Sequence, residues 1–111
     1  AERGDFDLAV SQLTYAEAEL ELSELKTIAS LRLARLELEL GQGDAALSRV
    51  RSISAEFFKG SRSELEGDIL VALNRPLEAR EAYLRAQTSL SEAGLNTAVV
   101  DLKLSALPEG S

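Results

Sequence analysis

"GQGDAALSRV", residues 41–50, and "NRPLEAREAY", residues 74–83, share one spacing of residue types. Gly41 is followed by Ala46, Val50 and Ile53, and Asn74 by Ala79, Tyr83 and Ala86. "GDFDLAVSQL", residues 4–13, repeats the pattern with Gly4, Ala9, Leu13 and Ala16. A turn-forming residue comes first, and small or medium apolar residues follow at helical steps. That order describes a tight turn into the second helix of an antiparallel helix pair, with small side chains letting the partner helix approach. The copies lie 37 and 33 residues apart, close to the ~34-residue period of one helix-pair solenoid.

The rest of the chain reads as helices between punctuation. Asp5 is placed to cap a first helix to about Leu20, and Ser23 a second to Leu40. "LRLARLELEL", residues 31–40, alternates partly like a strand, but Leu, Ala, Arg and Glu are strong helix formers and no β-branched residue interrupts them. Leu25, Ile28, Ala29, Leu33, Leu36 and Leu40 recur at helical steps and predict the core face of that helix. Leu31 and Leu38 form a second stripe. Further helices are expected from Asp44 to Ile53, from Ala55 to Leu73, and from Pro76, which suits a first turn, to Leu90. A sixth starts at Ser91 or Asn96, with Leu95, Ala98, Val99, Leu102 and Ala106 on one face, and stops before Pro108. The fold class is therefore all-α: a solenoid of antiparallel helix pairs with a C-terminal closing helix, forming one domain over 1–111.

The 111 residues carry a net charge of −7. A nucleic-acid partner is excluded on that balance, since such partners demand basic faces. Residues 1–25 hold −6, residues 26–51 hold +2 and residues 52–111 hold −3. With no cysteine and no histidine, thiolate and imidazole chemistry are unavailable, and no apolar run approaches a membrane span. Glu64 and Asp68 share a helix face, yet no third ligand stands near them by spacing, so no metal site is expected. Ser23 beside Lys26 reads as a cap with a solvated neighbour, and "GQG" at 41–43 lacks the downstream Lys-Ser/Thr of a phosphate loop. No catalytic residue and no cofactor site are expected.

On these residues the chain resembles the tetratricopeptide repeat family, with Ala34 and Gly67 at the small position of a first helix. "LKTIASLRLARLELELGQGDAAL", "GDILVALNRPLEAREAY" and "VVDLKLSAL" are similar to segments of the YfgM family, the ancillary subunit of the bacterial SecYEG translocon. The repeat domain of the division-associated CpoB family is related. The YfgM resemblance implies a domain facing the periplasm, tethered to the inner membrane by an N-terminal anchor outside these residues. It implies protein partners only: translocon subunits, a periplasmic chaperone and unfolded clients. A CpoB-like reading implies instead a soluble envelope or cell-division scaffold.

In such a solenoid the first helices line a concave surface. The family's groove-facing positions fall on Ile28, Leu31, Arg35, Leu38 and Glu39, and on Ser61, Glu64, Asp68, Val71 and Ala72. Ile28, Leu31, Arg35, Leu38, Glu64, Asp68 and Val71 are the expected partner-binding residues. Arg35 is the single base among them, which disfavours a clamp for a terminal carboxylate and favours an extended or helical apolar segment. Phe57 and Phe58 are adjacent, so both cannot point inward from a regular helix. Phe6 and Tyr83 are expected in the core.

Overall fold

A computed structural model describes residues 2–54 and 56–108, with backbone alone for 2–13 and 16. It contains five helices: α1 Glu2–Glu39, α2 Gly43–Arg51, α3 Lys59–Ala72, α4 Pro76–Glu92 and α5 Ala98–Ala106. The described residues form no strand. Each helix packs on the next, and α1 also reaches α3.

Three helix ends close in one way. Gly41, Asn74 and Gly94 all take the left-handed conformation, with φ of 79°, 60° and 73°. The N–H of Gln42 donates to the carbonyl of Glu37, that of Arg75 to Leu70 and that of Leu95 to Leu90. Bonds spanning three residues run from the N–H of Gly41 to Leu38, of Asn74 to Val71 and of Gly94 to Ser91. This paired capping satisfies carbonyls that the helix end would otherwise leave open. The turns expected at Gly41 and Asn74 are thus present, and Gly94 supplies a third.

Gly4 makes no turn. It lies inside α1, which runs without a break through Ser23. The two helices expected from Asp5 to Leu20 and from Ser23 to Leu40 are one. "EAELELSELK", residues 17–26, contains no Gly or Pro and is rich in Leu and Glu, so nothing local stops propagation. Neither Asp5 nor Ser23 caps a helix here. The Ser23 carbonyl instead accepts a bond from the Thr27 hydroxyl at 3.0 Å. Ala55 and the side chains of Phe6, Ala9, Leu13 and Ala16 lie outside the described residues.

The core collects Ala34 from α1, Ala46, Leu47 and Val50 from α2, Leu65, Ile69 and Leu70 from α3, Ala79, Ala82, Tyr83 and Ala86 from α4, and Val100 from α5. Leu107 closes it beyond α5. The small residues of the repeated pattern, Ala46 and Ala79, are fully buried, as is Ala34. At Gly67 an added Cβ would sit 2.4 Å from the Tyr83 ring, so only glycine lets that ring lie against α3.

Two expected faces are reversed. Leu31 and Leu38 pack against the core, whereas Leu25, Leu33, Leu36 and Leu40 are exposed. Both stripes of α1 are apolar, and α2 and α3 cover the one that contains Ala34. On α5 the face of Val99 and Leu102 is exposed, as is Leu95 before it, while Val100 is buried and Leu104 packs on the core.

Candidate functional site

The helices α1, α3 and α5 contribute side chains to one face of the stack, where a polar cluster ties them together. Asp68, on α3, is its centre. It accepts a 2.6 Å bond from the Tyr83 hydroxyl and a 3.2 Å bond from Arg35. Lys103, from α5, lies 2.6 Å from Glu64 Oε2 and 3.1 Å from Asp68. Two cations therefore meet two carboxylates. Glu64 and Asp68 are occupied by protein partners, and the described residues contain no cluster able to hold a metal ion.

The electrostatics follow from that packing. Burial pushes the Tyr83 phenol well above its ordinary value, helped by its bond to Asp68 and the negative charges of Asp68 and Glu64. Burial acts to lower Lys103, but its bonds to Glu64 and Asp68 outweigh that and hold it above its usual value. Lys103 and the Tyr83 hydroxyl were not legible as site residues. Lys103 lies 35 residues from Asp68, and its only sequence signal was being the lone base on the closing helix.

Beside this cluster is a depression of about 330 Å³ lined by Leu31, Arg32, Arg35, Ser61 and Leu65. The expected partner-binding residues divide around it. Leu31 and Arg35 line it directly. Glu64 and Asp68 belong to the adjoining cluster. Val71 follows them along α3 and is exposed. Ile28 lies apart, in a second depression with Glu21, Glu24 and Leu25. Leu38 is turned to the core. Of the two adjacent aromatics, Phe58 is the exposed one, held in the left-handed region at φ 57°, and Phe57 is half-buried.

No helix among the described residues is long and apolar enough to cross a membrane. The arrangement offers an apolar floor edged by guanidinium groups, suited to holding a polypeptide segment.

The chain is 34% identical over 91 residues to an ancillary SecYEG translocon subunit of Haemophilus influenzae, covering 82% of this chain and 45% of that protein. It is 34% identical over 86 residues to the protein of the same name from Aggregatibacter actinomycetemcomitans, covering 78% and 42%. The Escherichia coli protein of that name is 30% identical over 82 residues, covering 74% and 40%. The chain thus spans less than half the length of these curated relatives. No solved structure matches it. A family of tetratricopeptide repeat-like domains matches residues 1–109, nearly the whole chain, and with its turns, small buried residues and helix pairs the chain belongs to that family.

Proposed function

We propose that this domain is a non-catalytic protein-interaction module of an ancillary translocon subunit, and that it holds apolar segments of other polypeptides on the face shared by α1, α3 and α5. The observation that carries the reading is the depression between Leu31, Arg35, Ser61 and Leu65. Its floor is apolar, and its polar neighbours are satisfied internally by the Arg35–Asp68–Lys103–Glu64 cluster. A bound segment therefore gains affinity from side-chain burial rather than from net charge. Leu31, Arg35 and Val71 contact it, while Glu64 and Asp68 position Arg35 and Lys103. Translocon subunits, a chaperone and emerging clients are the proposed partners, and the periplasmic side of the inner membrane the proposed location. The names of the three relatives support the translocon association.

Ser61 is exposed at the rim, so Ser61→Trp fills the depression without disturbing the core. It is expected to leave the circular dichroism melt unchanged and to weaken binding of a reduced, unfolded client at least about tenfold, or ~1.4 kcal/mol. Binding measured by fluorescence anisotropy that is unaltered in a folded Ser61→Trp protein removes the site.

A further inference from the structure

The face of α1 directed away from the core carries an apolar stripe that no other element among the described residues covers. Tyr15, Leu22, Leu25, Leu33, Leu36 and Leu40 follow one another at helical steps over ~37 Å, and each is between 46% and 66% exposed. Ala18 and Ala29 fall between them and are exposed too. A stripe this long and continuous on a helix marks a partner rather than scattered surface leucines.

Two features of the stripe select the occupant. The first is its spacing, which is symmetric about a point near Thr27 and Ile28. If a second α1 lies antiparallel, Tyr15 of one copy meets Leu40 of the other, Leu22 meets Leu33, and the small Ala18 and Ala29 face Leu36 and Leu25. Large side chains oppose small ones at these last two pairs, and the contact is the same on both copies, as a two-fold interface requires.

The second feature is charge. Between Tyr15 and Leu25 the chain carries Glu17, Glu19, Glu21 and Glu24 and no base. Between Lys26 and Leu36 it carries Lys26, Arg32 and Arg35 and no acid; Arg35 is turned to Asp68, which leaves Lys26 and Arg32 for a partner. A parallel pair sets acid against acid, whereas an antiparallel pair sets each acidic stretch beside a basic one. Glu21 and Arg32 lie eleven residues, about three turns, apart and so on one edge of the stripe. In an antiparallel pair that edge meets its own copy, bringing Glu21 of each chain to Arg32 of the other. Opposed charge at such flanking positions sets orientation and partner choice.

We infer that α1 is a homodimerisation helix, and that two copies of this chain associate back to back and antiparallel through the Tyr15–Leu40 stripe. The depression on the α1, α3 and α5 side shares Arg32 with the edge of the stripe, while Leu31, Arg35, Ser61 and Leu65 stay open in each copy, so the pair presents two outward-facing binding faces. The inference does not depend on the binding role proposed for that depression.

The absence of cysteine from the chain makes the orientation directly testable. Sedimentation equilibrium is expected to give about twice the 12.0 kDa of one chain. Under oxidation, Leu22→Cys mixed with Leu33→Cys should yield a crosslinked pair, and Leu22→Cys alone should not. Leu22→Glu combined with Leu36→Glu should sediment as a single chain with its helicity kept. A wild-type chain that sediments at 12.0 kDa overturns the inference. So does self-crosslinking of Leu22→Cys, which indicates a parallel pair. So does failure of the mixed cysteine variants to join, which leaves the stripe to another part of a longer protein or to a different partner.

Discussion

The helix α1 has two apolar stripes of similar composition and opposite fates. Leu31, Ala34 and Leu38 meet α2 and α3, while Leu33, Leu36 and Leu40, one or two positions along, face outward. Leucine at helical spacing therefore says that a face needs covering, and does not say which neighbour covers it. The choice is made elsewhere, by the small residues. Ala34 is fully buried, and α2 and α3 pack on the stripe that contains it.

The largest effect that tests this contrast is truncation on either side of the covered boundary. Ile69 is fully buried in α3, and Ile69→Ala is expected to cost ~2–5 kcal/mol. Leu36→Ala on the bare stripe should change the stability of the separated chain by no more than ~0.5 kcal/mol, as for an ordinary surface position. Urea melts at concentrations where the chain is monomeric check both. Equal losses would show that the outer stripe is buried in the folded monomer.

Next in size is the contact that lets α3 and α4 close. Gly67→Ala brings its Cβ into the Tyr83 ring and is expected to cost ~1–3 kcal/mol by overpacking. The cost should fall when Tyr83→Leu is combined with it, because the two sites share that space. Additive losses in the double variant would place the strain elsewhere.

These two positions also show what could be read ahead of the structure. The turns at Gly41 and Asn74, the burial of Ala46, Val50, Ala79 and Ala86, and the small residues Ala34 and Gly67 were legible because each has a local cause. A left-handed residue ends a helix, and a missing side chain makes room. The join between α1's halves was misread because Ser23 and Gly4 carry the right chemistry for a boundary while the sequence around Ser23 propagates helix without interruption. The two stripes of α1 were exchanged because periodicity is blind to which neighbour arrives. The polar cluster was half visible. Glu64 and Asp68 share a face by spacing, but Lys103 and the Tyr83 hydroxyl reach them across the tertiary fold, and spacing carries no such contact.

A smaller effect separates the cluster from the apolar packing around it. Tyr83→Phe keeps the ring against Gly67 and removes the 2.6 Å bond to Asp68. Asp68 retains Arg35 and Lys103, so the loss at neutral pH should be ~1–2 kcal/mol, toward the low end for a bond to a charged group. The variant also changes the alkaline limb. The folded phenol sits above its ordinary value of 10.0, so the unfolded chain releases that proton first as pH rises. Stability is full below that value and is lost above it, as pH climbs toward the folded value. Lys103, raised by Glu64 and Asp68, works in the same direction. Tyr83→Phe should therefore be less stable at pH 7 but lose stability more slowly above pH 10. An unchanged alkaline slope would mean that Lys103 alone sets it.

The smallest expected effect comes from the far side of α1, where Glu37 receives a 2.6 Å bond from Arg49 on α2. The pair holds the end of α1 against α2 next to the Gly41 turn. The Arg49 bond keeps the Glu37 carboxyl below its ordinary value of 4.5; burial acts to raise it, and the Arg49 charge adds to the lowering. A depressed carboxylate contributes stability above its unfolded value, and that contribution disappears as pH falls through the folded value. Arg49 is half-exposed and Glu37 mostly covered, so salt reaches the pair from one side and screens part of the attraction. Glu37→Gln should thus leave the melt at neutral pH and physiological salt nearly unchanged. Its signature is a flatter loss of stability below pH 4.5 at low ionic strength, which should vanish when salt is added. A salt-independent loss at pH 7 would instead mean that Glu37 holds α2 in place by geometry, and that the covered stripe of α1 depends on this pair as well as on Ala34.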